Sequence, residues 1–172
     1  MSDTASEEKP GEEPKVEIME YSDDYKQQVK DLIFDIAENE LKRHSKSGRP
    51  DLDNIGEIYQ TKKGNFWIAT ENGEIIGTIA LKDMGEDRGD LWRFYVRKDM
   101  RRKGVGGKLF STLKEFALEN GYKKIFISTQ GTQEAANKFY IKIGAKRTEA
   151  PPKDFPHSSN DKTFYELDLE KK

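Results

Sequence analysis

The chain has 172 residues, a length that suits a single globular domain able to bury a substantial core. Hydrophobic residues make up 34% and charged residues 36%, with a formal net charge of −2, and the most apolar run, residues 75–81, is far too short to span a bilayer. The lack of cysteine excludes disulfides, a thiol nucleophile, thiolate-bound zinc and iron–sulfur clusters, while the two histidines, His44 and His157, without an HExxH pair or a GxSxG elbow, argue against a histidine metal site or a hydrolase triad.

Residues 1–14 carry five acidic side chains against one lysine, with two prolines and no apolar periodicity. They are expected to form a disordered acidic tail, followed by one domain over residues 15–172. An acidic start without an apolar core is not a secretory signal, so a cytoplasmic location is expected. From residue 16 the pattern alternates. Residues 16–21 read as a strand. Ser22 or Asp23 then caps a helix with Tyr25, Val29, Leu32, Ile33 and Ile36 on one stripe. Asp51 or Asp53 opens a shorter helix with Leu52, Ile55 and Tyr59 inward, and Gly64 is expected to close it. Residues 65–71 and 74–84 are strand-like and joined by Asn72-Gly73, a strong hairpin signal because both turn positions need positive φ. Residues 89–96 form another strand, 104–120 a helix with Val105, Leu109, Leu113 and Phe116 on one side, and 123–129 a strand. A helix over 133–143 turns Ala136, Phe139, Tyr140 and Ile143 inward before Gly144, and residues 162–169 supply a last strand. Trp67 and Trp92 are expected in the cores of their strands. This order is an α/β arrangement: a mixed, mostly antiparallel sheet containing one parallel strand–helix–strand unit.

That unit carries the one unusual charge feature. Residues 97–108 hold six basic side chains against Asp99, and Gly104-Val105-Gly106-Gly107 opens the helix. Helix N-termini present unpaired N–H groups and a partial positive charge, and glycines let an anion approach the backbone closely. Arg101, Arg102, Lys103 and Lys108 add charged donors. The turn therefore reads as a pyrophosphate cradle. It is neither a Walker A loop, because Leu109 follows Lys108 and Arg102 stands where its first glycine belongs, nor a GxGxxG fingerprint, which would need a glycine at Leu109. Nucleic-acid binding is disfavoured by the near-neutral total charge and the short, glycine-rich basic run.

Arg101-Arg102-Lys103-Gly104-Val105-Gly106, five residues beyond a strand ending at Val96, resembles the R/Q-x-x-G-x-G/A signature of the GCN5-related N-acetyltransferases (GNAT superfamily). Ala136, Tyr140 and Gly144 match a second family motif, with Gln133 in place of its Asn and Ala145 in place of its Phe. Residues 51–81 resemble small bacterial and camello-like members. The likeness covers residues 16–169. It implies the GNAT fold, a sheet of about six to seven strands flanked by about four helices, with a splayed parallel strand pair holding acetyl-CoA. It implies transfer of an acetyl group to a primary amine, with no metal, no nucleic acid and no membrane, and a homodimer fits the family. Backbone groups of Phe94, Tyr95 and Val96 would meet the pantetheine arm, and Arg101, Arg102, Lys103, Gly104, Val105, Gly106, Gly107 and Gln133 would complete the cofactor site. Tyr140 matches the family tyrosine that protonates the leaving thiolate, although any tyrosine at this spacing is also an inward aromatic. Asp90 matches a frequent acidic position and could accept the amine proton; a solvated carboxylate is the plainer reading. His157 and His44 read as surface histidines near the acceptor side. A non-catalytic acyl-CoA-binding or sensor domain of the same fold is the alternative.

Overall fold

A computed structural model describes residues 15–43, 48–130, 134–157 and 161–170; the expected acidic tail, His44 and Gln133 lie outside them. Seven strands form one sheet: β1 (Val16–Glu20), β2 (Asn65–Glu71), β3 (Glu74–Asp83), β4 (Arg88–Val96), β5 (Lys124–Thr129), β6 (Lys146–Thr148) and β7 (Thr163–Asp168). Their order is β1-β2-β3-β4-β5-β7-β6, antiparallel throughout except for β4 and β5. The helices are α1 (Lys26–Asp35), α2 (Ile55–Tyr59), α3 (Val105–Glu119) and α4 (Glu134–Lys142). No helix among the described residues is long and apolar enough to cross a membrane.

Strand alternation sorts the core into two layers. Trp67, Ala69, Ile79 and Leu81 face α3, where Val105, Leu109, Phe110, Leu113 and Ala117 meet them. Phe66, Ile68, Ile75 and Ala80 face α1 and α2, packed on Val29, Leu32, Ile33, Ile55 and Tyr59. The helical stripes read from spacing are thus the faces that pack. Asn72 and Gly73 both take positive φ in the β2–β3 turn, as the hairpin requires.

Three local expectations change. The stripe of α1 runs on through a π-helical turn, Ile36–Glu40, closed by Leu41 N–H on the Ile36 carbonyl at 3.0 Å. Gly64 does not close α2, which ends at Tyr59. A Cβ at Gly64 would stand 2.6 Å from the Tyr59 carbonyl oxygen and 2.8 Å from that of Leu81, so the glycine permits close backbone approach at the start of β2. β6 is an added edge strand too short and polar to show periodicity.

Candidate active site

The site begins where the sheet opens. β4 and β5 pair only through Arg88–Lys124, Gly89–Ile125 and Asp90–Phe126, after which β5 continues along β7 to Thr129. The edge of β4 from Leu91 to Val96 has no strand partner on that side among the described residues. All six of these residues are half-buried although β4 lies in mid-sheet. An unpaired interior edge offers backbone donors and acceptors to an extended ligand.

A bulge shapes this edge. Thr78 pairs with Tyr95 and Ala80 with Trp92, so Arg93 and Phe94 together oppose Ile79. Arg93 has φ +50, and its carbonyl accepts the Thr78 hydroxyl at 2.7 Å. The extra residue brings Trp92, Arg93 and Tyr95 to the α1–α2 side and leaves Phe94 and Val96 toward α3. There the Arg93 guanidinium grips Asp51 at 2.6 and 2.8 Å, and the Tyr59 hydroxyl donates to the same carboxylate at 2.7 Å. Burial by itself would raise the Asp51 pKa, but the Arg93 hydrogen bonds and charge, with the Tyr59 hydroxyl, bring it below the ordinary range.

The basic turn follows β4 directly. Arg102 and Gly104 adopt φ of +64 and +81, and alternate left-handed residues are the backbone pattern of an anion nest. Gly104 caps α3, whose first i to i−4 backbone bond runs from Lys108 N–H to the Gly104 carbonyl at 3.1 Å. The amides of Val105, Gly106 and Gly107 therefore belong to the turn of a helix that has no intrahelical acceptor. Arg102, Lys103 and Lys108 are exposed beside it. Arg101 differs: its Nε donates to the Val96 carbonyl at 2.9 Å and its Nη2 to Glu40 at 2.5 Å. That guanidinium is committed to fastening the end of the π-helical turn to the end of β4.

Asp90 sits at the point where the strands part. Its side chain is buried and accepts the Trp92 indole N–H at 2.7 Å. Burial lifts its pKa to about 7, against the Trp92 bond and the charge of Lys82 and with help from Asp161. Trp92 is half-buried and carries the Lys82 ammonium 4.8 Å above its ring, so it bridges core and cleft. Tyr140, on α4, is buried among Phe94, Phe139 and Tyr165 at centroid separations of 6.3, 5.8 and 5.4 Å. Its hydroxyl hydrogen-bonds to no described residue. Burial raises its pKa, as do Tyr95 and Tyr165, while the charge of Arg43 acts the other way. His157 is exposed and stacks edge-on with Phe164. A depression between α4 and β7, lined by Asn137, Ile141, Arg147 and Tyr165, contains none of the expected site residues.

Asp51, Tyr59, Glu40 and Arg43 were not expected here. Asp51 and Tyr59 read as cap and core of a short helix, and nothing local in the sequence announces their partner 42 residues away at Arg93. Arg43 lies in a polar stretch without periodicity.

The chain matches the Acetyltransferase (GNAT) family over residues 28–145. It is 33% identical over 100 residues to the N-acetylaspartate synthetase of Xenopus tropicalis, covering 57% of this chain and 37% of that protein. It is 30% identical over 110 residues to N-acetyltransferase 8 of Mus musculus, covering 60% and 48%. The matches thus span less than half the length of these two relatives. A GNAT-family acetyltransferase structure from Staphylococcus aureus Mu50 superposes with TM-score 0.87 at 29% identity, over 91% of this chain and all of that one. The Thermoplasma acidophilum PaiA N-acetyltransferase, solved in complex with coenzyme A, superposes with TM-score 0.74 at 17% identity over 90% and 99%, a likeness of fold. With the parted strand pair, the basic glycine turn and this extent of match, the chain belongs to the acetyltransferase (GNAT) family.

Proposed function

We propose that this chain moves the acetyl group of acetyl-CoA to a primary amine by direct attack of the amine on the thioester. The observation that carries the reading is the parting of β4 and β5 immediately before the glycine turn. The edge of β4 from Leu91 to Val96 would pair with the pantetheine arm as an added strand, and the amides of residues 102–107 would take the pyrophosphate. The two features lie in succession along the chain, so one ligand with a peptide-like arm and a diphosphate fits both. Acetyl-CoA supplies an acyl group already activated as a thioester.

The remaining chemistry falls to side chains. Asp90, poised near neutrality by burial, accepts a proton from the amine, directly or through water. A backbone amide of the Phe94–Val96 segment polarises the thioester carbonyl. As the C–N bond forms and the C–S bond breaks, Tyr140 donates its phenolic proton to the departing thiolate; burial keeps that phenol protonated at working pH. Calorimetry with coenzyme A, together with thiol release in the presence of an amine panel, tests the reading. Micromolar binding with turnover supports it. Binding without turnover for any amine would replace it by the acyl-CoA-binding module, and absence of binding would remove both.

A further inference from the structure

The π-helical turn and the turn before α2 are each fastened to the β4 region, Glu40 to Arg101 and Asp51 to Arg93. Between them Arg49 is buried, donating 2.6 Å to the Arg43 carbonyl and 3.4 Å to Glu38, with its guanidinium 4.9 Å above the Phe34 ring. The carboxylates of these two turns are each paired with a cation other than Arg43: Glu38 with Arg49, Glu40 with Arg101, Asp51 with Arg93 and Asp53 with Lys30. Arg43 has no ion-pair partner among the described residues, and its Nε is buried without a hydrogen-bond acceptor. Its backbone is held, N–H to the Ala37 carbonyl at 2.7 Å and carbonyl to Arg49, so the side chain is carried on an ordered stem. Its charge bears on the Tyr140 hydroxyl, favouring the ionised phenol against the larger effect of burial.

A buried guanidinium donor without a partner is costly, and natural structures supply such a group with an acceptor, of which a carboxylate is the strongest match. The pyrophosphate cradle does not need it, because Arg102, Lys103 and Lys108 already flank that turn. What remains beside Tyr140 is the approach of the acceptor. We propose that Arg43 binds a carboxylate of the acceptor, so that the amine acetylated by this chain is one bearing a carboxylate, such as an amino acid, rather than a polyamine. The inference rests on the acetyltransfer reading above and narrows its substrate class. The planar guanidinium can offer two parallel N–H donors to the two carboxylate oxygens, and the amide or alcohol analogue leaves one of those donors unpaired.

The test follows thiol release from acetyl-CoA by the full chain with the common L-amino acids, their carboxamides, and putrescine and spermidine. The expected result is turnover of one or more acids with kcat/KM roughly thirtyfold or more above that of the matching amide. Arg43→Gln should bring that acid-to-amide ratio close to one, chiefly through KM for the acid, and Arg43→Lys should keep part of it. Coenzyme A calorimetry on each variant reports that the fold is intact. Amides or polyamines used as well as acids would overturn the inference while leaving acetyltransfer standing, as would an Arg43→Gln loss in kcat that is equal for every acceptor. No thiol release with any amine would overturn the acetyltransfer reading and this inference with it.

Discussion

Asp51 and Arg93 meet through two near-parallel hydrogen bonds of 2.6 and 2.8 Å, which fasten the turn before α2 to the bulge of β4. Both side chains are largely withdrawn from solvent, Asp51 at 17% and Arg93 at 14% exposure. Removing one partner of such a pair leaves a buried charge uncompensated and costs roughly 3–5 kcal/mol. Asp51→Ala is therefore expected to lower the melting temperature by roughly 10 °C. The double variant Asp51→Leu/Arg93→Met should recover more than half of that loss. Because the Asp51 pKa is held below its ordinary value, the pair's contribution is present at neutral pH and is lost as pH falls through that lowered value. Thermal melts of single and double variants between pH 7 and acid, with a double variant no more stable than Asp51→Ala, would contradict this account.

Asp90 predicts the opposite slope. Its pKa of about 7 in the fold lies above the unfolded value of about 3.9. Between those values the folded state binds the extra proton, so stability falls as pH rises from about 4 to about 7 and is level above. Asp90→Asn should remove that slope from the stability curve. In catalysis the ionised form is the base, so kcat/KM should rise with pH to a plateau above about 7, and the same variant should abolish that limb. Trp92→Phe deletes the hydrogen bond that holds the value down, and should shift the limb to higher pH. A wild-type limb that persists in Asp90→Asn assigns the base elsewhere.

The features legible beforehand were those with local physical signatures. The Asn72-Gly73 hairpin, the α3 stripe and the glycine turn all follow from φ preferences or helical period, and each takes its expected place. The bulge at Arg93 was not legible, because a strand with one extra residue keeps the composition of a regular strand. Its consequence, that Trp92 and Arg93 share a face, overrides simple alternation. The partners of Glu40 and Asp51 were not legible either, since they are arginine–carboxylate pairs reaching 42 residues to Arg93 and 61 to Arg101. Long-range ion pairs leave no periodicity. The parting of β4 from β5 came from the family resemblance and not from the residues of either strand.

The four basic residues of the glycine turn should not behave alike. Arg102 and Lys103 are exposed and make no ion pair among the described residues, so their alanine variants should raise the Kd for coenzyme A by a few-fold each, and less at high salt. Arg101 instead holds the Val96 carbonyl and Glu40. Arg101→Ala should free the π-helical turn from the end of β4, and its effect on binding should survive high salt and be reproduced by Glu40→Gln. Calorimetric titrations at two ionic strengths separate the classes; equal salt sensitivity for Arg101→Ala and Arg102→Ala would refute the distinction.

Tyr140 offers the sharpest separation of chemistry from packing. Its ring fills a buried position against Phe94, Phe139 and Tyr165, and phenylalanine preserves that volume. Its hydroxyl has no hydrogen-bond partner among the described residues, so Tyr140→Phe breaks no internal bond and should change the melting temperature by no more than about 2 °C. A structural tyrosine would stop there. A proton donor would not: with the phenol gone the thiolate leaves unprotonated, and kcat should fall about a hundredfold while coenzyme A affinity changes less than about twofold. The loss should shrink for acyl thioesters with more acidic thiols, because their leaving groups need the proton less. Steady-state kinetics with acetyl-CoA and with an aryl thioester compare the two leaving groups, and a hundredfold loss that is the same for both would place the damage in positioning and not in proton transfer.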